Sequence, residues 1–176
     1  MNDTHDLTTY SASKLAELIR NNVVSSEEVV TDHISRIKQV NPKLNAVVVL
    51  TEKSALKSAR EADSLTQKSK LLPPLHGVPI TIKDAFEVAG VVSTGGTLGR
   101  KDYVPDTDAI AVKRLKQAGA IILGKTNLPE ISMGFESSNL VYGKANNPFD
   151  VERTPGGSSG GGFHNCSWRL TIWYWQ

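Results

Sequence analysis

The chain has 176 residues, 39% hydrophobic and 22% charged, with a formal net charge of +2, which suits one soluble domain with a sizeable core and gives no electrostatic case for nucleic acid or an acidic membrane as partner. No run approaches the roughly 18 apolar residues of a membrane span, and the polar start MNDTHDLTTYSASK holds no apolar signal core. The lone cysteine, Cys166, permits no intrachain disulfide, so a reducing, cytoplasmic setting is expected.

Leu15, Leu18 and Ile19 recur at helical spacing behind Ser11 and Ser13, either of which can cap a short helix. Ser25 and Glu28 have the spacing of a capping box, and the following helix carries Val30, Ile34 and Ile37 on one face. That helix is predicted to end before Asn41-Pro42. The β-branched run 44–50 reads as a buried strand, and residues 52–66 read as an exposed, alanine-containing helix.

After Pro73-Pro74, Val78, Ile80 and Ile82 alternate with Pro79, Thr81 and Lys83, the period of a strand. Asp106 or Thr107 is placed to cap a helix over 108–118, with Ile110, Val112 and Leu115 apolar, and AIILG (120–124) is a second buried strand. Strand, helix and strand in this order predict a βαβ unit and an α/β layered fold. Regular periodicity fades from Lys125 to Gly162, where a functional surface is expected.

Three motifs compete for the chemistry. Gly119 to Thr126 matches G-x-x-x-x-G-K-[ST], so a phosphate-binding module is one alternative. Its middle residues form an apolar strand rather than a loop, however, and Asn127-Leu128-Pro129 follows where a helix is needed. Gly156 to Gly160 satisfies G-x-S-x-G, but the turn-like NPFDVERTP precedes it where a nucleophile elbow needs a strand. The third is a pairing across the chain of Lys83, at a strand end, with the glycine-wrapped Ser158 and Ser159. A lysine acts as a base when desolvation lowers its pKa, and Ser–Lys chemistry needs no histidine, metal or cofactor.

Four ordered blocks, HGVPITIKDAFEVAG, DTDAIAVKRLKQAGAIILGKTNLPE, ESSNLVYGKANNPFD and RTPGGSSGG, resemble the amidase signature hydrolases. The resemblance implies a mixed sheet covered by helices. It also implies hydrolysis of amide C–N bonds in a small-molecule amide by a Ser–cisSer–Lys acyl-enzyme mechanism, with no metal and no cofactor. It assigns Lys83 as the base and Ser158 as the bridging serine on a cis peptide, with Ser159 a supporting candidate. In the family the attacking serine belongs to a D-x-G-G-S block further along, which is not found in these residues. The expectation is therefore that residues 1–162 are the N-terminal part of an amidase domain, with an incomplete sheet and no nucleophile. Within the family, the blocks look most like the fatty-acid amide hydrolase branch. The amidase subunit of a tRNA-dependent amidotransferase, which has partner subunits, is the alternative.

Residues 163–176 depart from the family pattern and hold all three tryptophans, Trp168, Trp173 and Trp175. An amphipathic aromatic anchor for a membrane or a partner is one reading, making the chain a non-catalytic interaction fragment. The genetic code supplies another. Read one base later, every TGG codon becomes a glycine codon, and a permitted coding of this tail then gives GSIIAAGGSPFGIGSD, a phrase of the family's type. A frameshift near Gly161-Gly162 is the expectation.

Overall fold

The structure is a computed structural model that describes residues 6–69 and 71–162. The aromatic tail, with its frameshift and anchor readings, lies outside the described residues. Helix α1 (Ala12–Arg20) begins where Ser11 Oγ accepts the Lys14 amide, 3.2 Å away, and it buries Leu15, Ala16 and Ile19 while Leu18 is half-buried. Helix α2 (Ser26–Leu44) opens with both bonds of the Ser25–Glu28 capping box, an arrangement that contributes about 1 kcal/mol.

Helix α2 runs past its predicted end, with Pro42 inside its last turn. There the missing amide costs a single bond. The Asn41 side chain secures the exit, donating to Val47 O and accepting from the Ala46 and Val47 amides, each at 2.8 Å. Asn45 then turns the chain in the left-handed region, at φ 47°. The strand that follows, β1 (Val47–Leu50), is correspondingly shorter than the apolar run suggests, and all four of its residues are half-buried rather than buried.

Helix α3 (Glu52–Lys68) packs against α2 through Ala55 and Ala59. Strand β2 (Pro79–Lys83) buries Pro79, Ile80, Thr81 and Ile82 alike, so the alternation in its sequence does not separate a wet face from a dry one. Helix α4 (Ile110–Gln117) starts at Ala109 with no side-chain cap, contrary to the expected role of Asp106 or Thr107. The neighbouring Asp108 takes the Ala89 amide and the Lys116 ammonium instead. Of the helix's apolar residues, Val112 is buried, Leu115 half-buried and Ile110 exposed.

Strand β3 (Ile121–Thr126) lies between the other two in the order β1-β3-β2, parallel to β2 and antiparallel to β1. The fold is thus α/β with a mixed sheet and the predicted β2-α4-β3 crossover. The main core joins Val30, Ile34 and Ile37 of α2 with Ala55 and Ala59 of α3, the sheet residues Ile80, Ile82, Ile121 and Leu123, and Val112 of α4. A second cluster packs α1 against Val29 and Val78. From residue 127 to residue 162 the chain runs mostly in loops and turns, with one short pairing of β4 (Ser138–Asn139) and β5 (Gly143–Lys144). Among the described residues no helix is long and apolar enough to cross a membrane.

Candidate active site

Strand β2 ends at Lys83, and its amine donates to Ser158 Oγ at 2.8 Å. Both residues are half-buried, and burial pushes the Lys83 ammonium pKa below the usual lysine value. The Gly157–Ser158 peptide bond is cis. Ser159 is half-buried beside it, and its carbonyl accepts the Gly162 amide at 2.9 Å. Lys83 also lines an apolar cleft of about 270 Å³ formed with Leu75, Ile80, Ile82, Phe86 and Val112. A larger cleft, about 530 Å³, lies beside α3 against Ser58, Glu61 and His76, and neither Lys83 nor Ser158 lines it.

The glycines of the serine loop answer to close approach. Gly156 has φ +87°, a region that favours glycine. A Cβ on Gly157 would lie 2.6 Å from the Phe135 carbonyl carbon and 2.7 Å from the Glu136 amide nitrogen. The loop therefore rests directly on the backbone of the ESSN block. That block is fastened in turn by two asparagines. Asn139 Nδ2 donates to Asn127 Oδ1 at 2.9 Å and to Leu128 O at 2.7 Å, while its Oδ1 accepts the Val141 and Tyr142 amides. Buried Asn127 donates onward to the Asn45 and Gly143 carbonyls.

Residues outside the predicted set also converge here. Asp84 follows Lys83, and its fully buried carboxylate takes the Lys125 ammonium at 2.7 Å on one oxygen. The other oxygen takes the Thr94 amide and hydroxyl, at 3.1 and 2.6 Å. Lys125 donates a second bond to Ser93 Oγ at 2.8 Å. Burial pulls the Lys125 pKa down, and the Asp84 charge opposes that pull.

This geometry corrects the phosphate-binding alternative. Residues 121–126 form β3, and Lys125 is buried and committed to Asp84, so no loop of free amides exists there to cradle phosphate. The nucleophile-elbow pattern likewise has no strand ahead of it, since no strand is present over residues 151–158. Among the described residues no group of three or more His, Cys, Asp or Glu side chains could hold a metal ion.

Comparison with known proteins agrees with this architecture. The Amidase family model matches residues 28–162. Human fatty-acid amide hydrolase 2 is 42% identical over 167 residues, which is 90% of this chain and 31% of that protein. A glutamyl-tRNA(Gln) amidotransferase subunit of Cutibacterium acnes is 39% identical over 157 residues, covering 89% of this chain and 31% of that protein. A solved fatty acid amide hydrolase superposes with a TM-score of 0.87 at 28% identity, over 93% of this chain and 29% of the other. The chain thus spans about a third of the length of the relatives it matches, and over that third it belongs to the amidase signature family of hydrolases.

Proposed function

We propose that this chain carries the base and the bridging serine of an amide hydrolase that works by Ser–cisSer–Lys acyl transfer. The observation that carries the reading is the 2.8 Å contact between Lys83 Nζ and Ser158 Oγ, with the amine partly desolvated. Neutral Lys83 takes a proton from Ser158 Oγ as Ser158 takes one from an attacking serine. That serine forms a C–O bond to the amide carbonyl, the C–N bond breaks, and the proton returns along the same path to the leaving amine. Water then cleaves the acyl ester. Ser159, next to the bridging residue, is the supporting hydroxyl.

The attacking serine belongs to a D-x-G-G-S block that these 176 residues do not contain, so the chain alone is expected not to turn over amides. The similarity to fatty-acid amide hydrolase 2 favours lipophilic amides as substrates of the complete enzyme. A second reading is an amidase that works with partner subunits, favoured by the likeness to the glutamyl-tRNA(Gln) amidotransferase.

The test is amide hydrolysis by the gene product read through the shifted frame past Gly161, compared with the 176-residue chain. The extended product should hydrolyse a fluorogenic amide, and Lys83→Ala or Ser158→Ala should lower the acylation rate by about 10²–10⁴-fold. Near-normal turnover after either change overturns the assignment. So does robust, Ser158-dependent turnover by the chain of 176 residues.

A further inference from the structure

The serine loop leaves the ESSN block and returns to it at a single side chain. Ser137, 1% exposed, accepts the Gly160 amide on Oγ at 2.7 Å and donates its hydroxyl proton to Gly156 O at 3.0 Å. Its own amide donates to the same Gly156 carbonyl at 3.1 Å. A hydroxyl has one proton to give and lone pairs to receive, so both side-chain bonds form at once. Gly156 and Gly160 bracket Ser158 on either side. Ser137 is itself held, because its carbonyl accepts the Ala145 amide at 2.8 Å.

We infer that Ser137 is a positioning residue for Ser158, its hydroxyl clamping both ends of the glycine loop so that the Ser158 hydroxyl meets the Lys83 amine. The inference rests on the reading of Lys83 and Ser158 as a proton relay. Ser137 does not touch Lys83 through any of these bonds, so its influence on the amine passes through the loop. A serine that merely filled core space would be matched by any side chain of its size. A clamp needs the hydroxyl.

The experiment follows the Ser158 side-chain resonances of the full 176-residue chain by NMR through the titration of Lys83, with amide exchange at Gly160 measured alongside. In the unaltered chain Ser158 should shift with the Lys83 midpoint, and the Gly160 amide should be protected. Ser137→Ala should uncouple Ser158 from Lys83 while Lys83 still titrates. It should also speed Gly160 exchange about tenfold, the equivalent of one lost hydrogen bond, and leave Leu123 in β3 unchanged. Ser137→Thr, which keeps the hydroxyl, should restore both readouts.

Unchanged Ser158 coupling and Gly160 exchange in Ser137→Ala would overturn the inference. Equal loosening of Gly160 and Leu123 would do the same. If the alanine variant does not fold, Ser137→Cys, near in size but weak as donor and acceptor, carries the comparison. Failure of both to fold would assign Ser137 to the general fold and overturn the clamp. The underlying relay reading is scored separately. If Ser158 ignores the Lys83 titration in the unaltered chain, or follows it still in Lys83→Met, the relay fails, and Gly160 exchange alone decides whether Ser137 holds the loop.

Discussion

The amine of Lys83 and the hydroxyl of Ser158 stand 2.8 Å apart although 75 positions separate them in the chain. Burial at this contact disfavours the ammonium, so Lys83 should lose its proton at a lower pH than exposed lysines. Competitive acetylation read residue by residue checks this, with Lys57 and Lys101 as references because their side chains are 79% and 63% exposed. Lys83 should show the lowest midpoint of the three. A midpoint equal to the references would remove the electrostatic basis for a neutral amine.

The Asp84–Lys125 pair has no exposed surface on either side chain. Removing one partner leaves a buried charge uncompensated, so Asp84→Asn or Lys125→Met should destabilise the chain by about 3–5 kcal/mol in denaturant unfolding. The double variant should recover a large share of that loss, because neither charge is then stranded. Simple additivity of the two single effects would mean that the pair does not act as a unit.

Gly157 offers a steric test. A methyl group there meets the Phe135 and Glu136 backbone, which cannot swing aside as a side chain can. Gly157→Ala should therefore cost about 1–3 kcal/mol by overpacking and should weaken the Lys83–Ser158 contact. Thermal unfolding together with the Lys83 labelling midpoint reads both. An alanine variant as stable as the parent would show that the loop yields at little cost.

His33 sets an acid limit on stability. Its Nδ1–H donates to Val29 O at 2.7 Å, and its buried Nε2 has no hydrogen-bond partner among the described residues. Burial lowers its pKa in the folded chain, against a weaker opposing pull from the helix carbonyl of Val29 and from Asp6. Below about pH 6.5 the unfolded chain binds a proton that the folded chain refuses, so stability falls as pH falls, by up to about 1.4 kcal/mol per pH unit. His33→Gln should flatten the pH 5–7 portion of the stability profile, as measured by denaturant midpoints. An unchanged slope would place the acid sensitivity elsewhere.

Legibility follows the range of the forces involved. The starts of α1 and α2 can be read from Ser11, Ser25 and Glu28 because a cap is settled within four residues. The end of α2 cannot, since it depends on the Asn41 side chain reaching forward to Val47. The start of α4 is misread for a related reason, with Asp108 drawn to Ala89 and Lys116 rather than to its own helix. At the site, Lys83 and Ser158 are identified by motif resemblance. Asp84 escapes notice although it stands next to Lys83, because its partner Lys125 is set by the β2–β3 register, which pairs Ile82 with Lys125. Ser137 carries no signal of its own beyond belonging to the ESSN block. Its importance comes from tertiary contact with glycines about twenty positions on, at Gly156 and Gly160.

The 75-residue span between the two site residues also sets a timetable during synthesis. At ordinary elongation rates Ser158 leaves the ribosome roughly 4–15 s after Lys83. The β2-α4-β3 crossover, complete by Thr126, has its partners before the serine loop exists. Through that interval the lysine amine has no Ser158 hydroxyl to meet. The contact between Lys83 and Ser158 is therefore one of the last that synthesis permits, made after the strand that carries the lysine already has its neighbour in the sheet.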